Sequence, residues 1–358
     1  MNRLIRAVID TRALRHNLRT IRERAGGARV MAVVKANAYG HGLIPTALAL
    51  AQADAFAVAR LEEGLALRAA GITQPIVLLE GVFAAEHLLE AARHGFDLVV
   101  HDPLQIELLE EYSGAARFLV WIKIDTGMNR LGFRPEDFPA ALQRIQRMRP
   151  PALEIRLLTH LARADESDDK MTQEQLQRFK QATAGLDYAV SIANTAGLFG
   201  NVDLGCDWVR PGLALYGASP FEDKTSAELG LHPVMSLETS VIATRKVMKG
   251  ETVGYGGTWK ASHDSTIAII AAGYGDGITR NLAGGTPVLV NGQRAPVVGR
   301  VSMDMIAVDV THTNGVHVGT PVVLWGVGLP VEEIARYAAT IPYELLCGVS
   351  QRVPLELR

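Results

Sequence analysis

Residues 30–42 read VMAVVKANAYGHG: an unbroken apolar run from Val30 to Val34, a lysine at its end, then a turn in which Gly40 and Gly42 flank His41. A short run without polar alternation, closed by glycines, is the pattern of a strand covered on both faces, and such strands belong to parallel sheets packed under helices. Lys35 would leave that strand at its C-terminal end, where parallel α/β folds build their sites.

Outward from this segment the same unit recurs. Strand candidates are Val30 to Val34, Ala55 to Ala59, Pro75 to Leu79, Asp97 to Val100, Phe118 to Ile124, Leu153 to Leu158, Ala189 to Ala193 and Leu213 to Tyr216. Helical periodicity fills the gaps at Pro45 to Gln52, Leu61 to Ala70, Ala84 to His94, Pro103 to Tyr112, Pro135 to Met148 and Thr172 to Ala184. About eight such repeats are what a (β/α)8 TIM barrel requires, and an open doubly wound sheet is the competing architecture. Lys35, Lys123 to Arg130, His160, Asn194 to Thr195 and Arg210 all fall at or just past predicted strand ends, which favours the barrel. Beyond about residue 230 the texture changes to short β-branched runs broken by Gly, Pro and Asn, such as SLETSVIATRKV (236–247) and GTPVVLWG (319–326). VLVNGQRAPVVG (288–299) reads as a hairpin turning at Asn291 and Gly292, and helical potential returns only at Val331 to Ala339. The expected fold is α/β, an N-terminal (β/α)8 barrel over 1–228 followed by a mainly β domain over 229–358.

The 358 residues are 48% hydrophobic and 21% charged, enough for two domains with cores of their own. A formal net charge of -2 offers no basic stripe to nucleic acid. No segment is apolar enough to span a bilayer, and the opening MNRLIRAVIDTRALRHNL interrupts its apolar residues with arginines, unlike a secretory signal. A small-molecule substrate and a cytoplasmic location are expected. Cys206 and Cys347 form neither a CxxC pair nor a metal cluster, so they are expected to be buried thiols, with no metal site. GYGGTW and GYGDG lack the GxGxxG spacing of a dinucleotide loop, and no GxxxxGK[ST] loop occurs.

A lysine leaving a buried strand must be solvated, paired or used covalently. Lys35 therefore reads either as a snorkelling rim lysine, with Tyr39 as half-buried packing, or as a Schiff-base lysine with Tyr39 donating its hydroxyl to a phosphate. AVVKANAYGHG (32–42) resembles the cofactor-lysine segment of the alanine racemases. ARLEEGLALRAAGI (59–72), WIKIDTGMNRLGF (121–133), THLARADE (159–166), DWVRPGLALYG (207–217), VGYGGTW (253–259), GYGDG (273–277), VGRVSMDM (298–305) and IPYELL (341–346) follow in the order of that family. The chain is thus similar to this pyridoxal 5′-phosphate family along nearly its whole length.

The resemblance implies that Lys35 holds the cofactor and serves as base on one face of the substrate, with Tyr255 as base on the other; inversion at one carbon needs both. A tyrosine has a pKa of about 10 and needs help to act near neutrality. By resemblance His160 hydrogen-bonds Tyr255 and is linked to Arg210, which donates to the cofactor's ring nitrogen. Tyr39, Thr195, Gly212 and Tyr343 match phosphate-binding positions, Thr195 standing where many relatives carry Ser. Arg130 and the backbone of Met303 would take the substrate carboxylate, Arg130 also touching the cofactor's phenolic oxygen. Lys123 matches a lysine carbamylated in some members. The family's head-to-tail homodimer would place Tyr255 and Met303 in the partner's site. After GYGDG this chain reads ITRN (278–281), where many relatives have an aromatic and a proline, a departure expected to alter the entrance corridor.

The implied activity is interconversion of L- and D-alanine, supplying D-alanine for peptidoglycan; a catabolic or broad-specificity racemase is the alternative. A non-enzymatic pyridoxal phosphate carrier lacks the second domain, and a barrel decarboxylase of basic amino acids uses a catalytic cysteine and an acidic ring-nitrogen partner where this chain has Arg210.

Overall fold

A computed structural model describes residues 4–148, 153–166, 170–200 and 204–358. Within them the chain divides into two units: Asn17–Ala38 with Leu43–Leu215, and the segment ending at His16 with Tyr39–Gly42 and Tyr216–Arg358. Among the described residues no helix is long and apolar enough to cross a membrane.

The first unit is a closed barrel of eight parallel strands: Arg29–Val33, Ala55–Val58, Ile76–Leu78, Phe96–Val100, Phe118–Lys123, Leu153–Leu158, Val190–Ser191 and Trp208–Val209. Arg29 and Val30 pair with Trp208 and Val209, which joins the last strand to the first. The expected helices appear at nearly the expected bounds, from Leu43–Ala49 to Met171–Ala182. Leu213–Tyr216, expected as the eighth strand, is instead a 3₁₀ turn, and Trp208–Val209 closes the barrel. Pro211 has no N–H for a ladder, and Leu215 N–H turns back to the carbonyl of Gly212, so the chain leaves the sheet there.

The lumen is packed, and its N-terminal half carries charge in aromatic company. Trp121 and Trp208, on strands that are not neighbours, meet edge to face with centroids 5.9 Å apart, so the contact crosses the barrel. The Arg156 guanidinium lies over both rings, at 5.3 and 5.1 Å, and Arg29 lies 5.3 Å from the Trp208 ring. Such contacts contribute about 2 kcal/mol where the guanidinium is desolvated and about 0.5–1 kcal/mol where it is exposed, as Arg29 is. Burial pushes the Asp97 carboxyl up to about 7, against the pull of Arg156 and Arg68 and with Glu154 adding to the rise.

In the second unit eight strands form one mainly antiparallel sheet, in the order Ser265–Ile270, Ile306–Asp309, Gln293–Val298, Pro287–Val290, Pro321–Trp325, Met235–Val247, Arg6–Ile9, Leu355–Leu357. Met235–Val247 is long enough to pair also with Ser265–Ile270, which curls the sheet back on itself. The hairpin turn falls at Asn291 and Gly292, whose φ angles of 51° and 74° are the pair of left-handed values a type I′ turn demands. Helix appears at Val331–Tyr337 and again at Pro342–Gly348, the second not expected. The cysteines depart from expectation: Cys206 is half-buried and Cys347 is exposed, because the short helix Pro342–Gly348 turns Leu345 and Leu346 inward and leaves Cys347 on the opposite side.

Asp97 makes stability depend on pH. Its folded-state pKa lies above the ordinary carboxylate value, so the penalty for the charged form is absent below about pH 4, grows as pH rises, and is complete above pH 7. Asp97→Asn is expected to leave stability near pH 4 almost unchanged and to raise it by about 1–3 kcal/mol near pH 8, as read by urea unfolding at the two pH values.

Candidate active site

Lys35 follows the first barrel strand, half-buried, and the chain after it does something rare for residues with side chains. Ala36, Asn37, Ala38 and Tyr39 all have φ between 52° and 55°, a full left-handed turn without a glycine. Each such residue costs roughly 1–2 kcal/mol, so local bonds must hold the turn. Ala38 N–H donates to the Val34 carbonyl at 2.8 Å, and Leu43 N–H to Asn37 Oδ1 at 2.9 Å. Ala36 N–H donates to Glu63 Oε1 at 2.6 Å.

Around Lys35 the other strand ends of the barrel bring positive charge. Lys123 ends its strand buried, and desolvation, with Arg130, Arg210 and Lys35 nearby, pulls its amine down to about 8 against the opposing pull of Asp125. Arg130 is exposed on a loop closed by the reciprocal bonds of Asp125 N–H to Phe133 O and Phe133 N–H to Lys123 O, both 2.8 Å. Asp125 Oδ1 pins that loop by accepting from Gly127 and Asn129 N–H. Arg210 is fully buried; desolvation lowers it to about 10, which leaves it charged at neutral pH. It donates to Ser191 Oγ at 2.5 Å and to the Thr159 carbonyl at 2.6 Å, one residue before His160. Burial holds the His160 imidazole well below its ordinary pKa, and Arg210, Lys123, Arg130 and Lys35 push the same way, so it is neutral. Thr195 Oγ1 accepts from Gly212 N–H at 3.0 Å and Ala214 N–H at 3.4 Å, which leaves the threonine hydroxyl hydrogen to donate elsewhere.

The second unit holds the remaining expected residues in three places. Tyr39 stacks on Tyr216 at 4.7 Å and lies 5.8 Å from the Tyr343 ring. Burial drives the Tyr39 phenol far above its ordinary value, with Tyr343 and Cys347 adding to the rise, so it stays neutral and keeps its hydroxyl hydrogen. Gly40 has no room for a side chain: a Cβ there would meet the Leu346 carbonyl oxygen. Tyr255 tops a two-stranded ribbon, Thr252–Val253 with Trp259–Lys260, and is 68% exposed. Met303 lies in a loop held by Tyr274 N–H to Ser302 O at 3.0 Å and Gly275 N–H to Met303 O at 2.8 Å. The buried Asp276 takes Gly273 N–H and Arg352 Nε, and Arg352 also reaches Asp304 at 2.5 Å. Gly273 allows this approach, since a Cβ would strike the Ser302 and Met303 carbonyls. In the departure ITRN, Ile278 is buried, so that change enters packing.

The barrel thus gathers Lys35, Lys123, Arg130, His160, Thr195, Arg210 and Gly212 at one mouth, as expected. Unforeseen there were Ser191, Gln175 and Glu63. Gln175 donates to the His160 carbonyl and accepts from Ala162 N–H, fixing the histidine's loop. Ser191 meets the Arg210 guanidinium, and Gln175 and Glu63 meet main-chain atoms of other elements, contacts that no local periodicity announces. Among the described residues no three His, Cys, Asp or Glu side chains cluster as metal ligands. An amine at a strand end, a buried guanidinium and a hydroxyl hydrogen left to donate suit a ligand with an aldehyde, a ring acceptor and a phosphate, and the barrel residues present fit pyridoxal 5′-phosphate.

Two family models match: the alanine racemase N-terminal domain over residues 9–220 and the alanine racemase C-terminal domain over residues 234–357. An alanine racemase of Nitrosococcus oceani is 51% identical over 348 residues, covering 97% of this chain and 98% of that one. A biosynthetic alanine racemase of Escherichia coli K12 is 48% identical over 350 residues, 98% of each. The crystal structure of a biosynthetic alanine racemase from Pseudomonas aeruginosa superposes with a TM-score of 0.96 at 43% identity, covering 99% of both chains.

Tyr39, kept neutral by burial, is expected to donate a hydrogen bond to the cofactor. Tyr39→Phe should weaken pyridoxal 5′-phosphate binding by about tenfold, in line with the loss of one hydrogen bond to a charged group. Equilibrium dialysis of the reconstituted protein checks this, with stability unchanged because the ring stack is kept.

Proposed function

The chain belongs to the alanine racemase family, and from that we propose that it interconverts L- and D-alanine by removing a proton on one face of the substrate and returning one on the other, with each site shared between two copies. The observation that carries this reading is the convergence of Lys35 with the charged, buried Arg210 and the neutral His160 at the barrel mouth. When bound, pyridoxal 5′-phosphate supplies the electron sink that makes the α-hydrogen of alanine removable.

Lys35 would hold the cofactor through its Nζ, Arg210 would donate to the ring nitrogen and keep it unprotonated, and Tyr39, Thr195, Tyr343 and the backbone of Gly212 would hold the phosphate. A ring nitrogen beside a permanent cation draws electrons less strongly than a protonated one, which favours return of the proton to the α-carbon over side reactions. Lys35 Nζ exchanges a proton at one face of that carbon, and Tyr255 Oη of a second copy at the other. The neutral His160 can accept the Tyr255 hydroxyl hydrogen, and Arg210 keeps the histidine segment in place through Thr159. Arg130 and the Met303 backbone would bind the alanine carboxylate. Tyr255, Tyr274, Met303 and Met305 are large side chains left exposed, which supports cover by a second copy. The biosynthetic names among the relatives support a role in providing D-alanine for peptidoglycan.

Lys123 is proposed to be carbamylated. A lysine pulled to about 8 has a neutral fraction at physiological pH that can attack carbon dioxide, losing one proton and becoming an anion. Facing Arg130, that anion replaces repulsion with attraction.

Purified protein is expected to convert L-alanine to D-alanine, and Tyr255→Phe to remove most turnover while leaving the cofactor absorbance. Lys35→Ala and Tyr255→Phe proteins, each inactive alone, should regain about a quarter of normal activity when mixed and allowed to exchange, because half the dimers become mixed and each then holds one intact site. No recovery would end the shared-site proposal. Lys123→Ala should lose activity by about tenfold or more and recover part of it with acetate, a small carboxylate that can stand beside Arg130.

A further inference from the structure

We propose that Glu63 is a positioning residue for Lys35. The inference rests on Lys35 being the cofactor lysine and extends that reading to a residue of the separate block 59–72, to which no role has been given. Glu63 is the third residue of the helix Leu61–Ala69, in the loop region after the second barrel strand, next to the strand that ends at Lys35. Its two carboxylate oxygens do different work. Oε2 accepts from Ala59 and Arg60 N–H, at 3.0 and 3.2 Å, which closes the start of its own helix. Oε1 reaches across to the neighbouring strand end and accepts from Ala36 N–H at 2.6 Å.

That N–H belongs to the peptide joining Lys35 to Ala36, so its orientation sets the plane from which the Lys35 side chain departs. It is also the first N–H of the left-handed turn Ala36–Tyr39, a conformation that residues with a Cβ adopt only under constraint. A charge-assisted bond is short and directional, and a carboxylate is favoured at the start of a helix, so Glu63 is a stiff anchor. The anchor ties two adjacent strand ends together at the atom that decides where the lysine points.

A helix-capping role alone predicts a different outcome from a positioning role, and Glu63→Gln separates them. Glutamine serves as well as glutamate in closing a helix start. Its amide has one acceptor oxygen, so it can serve the helix or Ala36 but not both, and an NH2 facing the Ala36 N–H repels it. The expected result is a fall in kcat of about 10- to 100-fold with KM for alanine changed less than about threefold, as misplacement of a reacting group produces. The thermal midpoint should stay close to that of the unmutated protein. Visible absorbance should grow more slowly when cofactor-free Glu63→Gln protein is given pyridoxal 5′-phosphate, since the same amine must find the aldehyde. Glu63→Asp keeps the charge but withdraws both oxygens by one methylene, and should show the same slow uptake if the glutamine variant fails to fold.

Uptake rate and kcat both within about twofold of the unmutated protein overturn the proposal, as does a loss of kcat matched by a loss of folded protein. Borohydride fixation and peptide mapping of the unmutated protein keep the two readings apart. A label on a lysine other than Lys35 overturns the underlying assignment and Glu63 with it, whereas a label on Lys35 beside an unimpaired Glu63→Gln overturns only the role of Glu63.

Discussion

Lys35, Lys123, Arg130 and Arg210 repel one another across the mouth of the barrel, with Asp125 acting on Lys123 in the opposite sense. Lys123 and Arg210 are held by rigid strand ends and cannot relax apart, and burial denies them the screening of bulk water, while Arg130 lies exposed on its loop. Two consequences run through the site. Burial keeps His160 neutral with the same field pushing the same way, and an anionic group would meet charges already gathered before it arrives. The folding free energy lost to this repulsion is returned on binding, because whatever binds only the folded state stabilises it by mass action.

Holding such charges in place falls to uncharged or locally paired neighbours. Arg210 is fixed by Ser191 and two carbonyls, the His160 loop by Gln175, and the Arg130 loop by Asp125. In the second unit the Asp276–Arg352–Asp304 chain does the same for the loop of Met303. Each device satisfies main-chain groups that would otherwise be buried without partners, so position and stability come from the same bonds.

The parts of this arrangement that sequence disclosed are those governed by local pattern. The barrel strands announced themselves as short apolar runs, and a strand's end can be read wherever a polar residue follows, which is why Lys35, Lys123, His160 and Arg210 were located. Where side chains pointed to a strand but main-chain hydrogen bonding decided otherwise, the reading failed: LALY at 213–216 is apolar enough for a strand, yet the last ladder bond is the one Pro211 O accepts from Val33 N–H, and Leu215 N–H turns back to Gly212. The left-handed turn after Lys35 was invisible because alanines carry no mark of positive φ. Glu63 was not singled out within its block, since the contact that distinguishes it is with a backbone N–H beyond another strand. The exposure of Cys347 follows from which way one short helix faces, and seven residues are too few to fix that from periodicity.

The barrel treats charge in opposite ways at its two ends. Toward the N-terminal half, Arg156 lies against both Trp121 and Trp208 and is paired with Glu154 at 2.6 Å, so that cation is neutralised within the protein, while the exposed Arg29 lies over Trp208. At the C-terminal mouth the aromatic partners stop and the cations face one another. A scaffold that neutralised both ends would gain stability and lose its anion site, and one that neutralised neither would not close. The aromatic plug therefore permits the exposed charge above it: strands pinned together below can hold like charges apart by a fixed distance above, and that fixed distance is what a small ligand recognises.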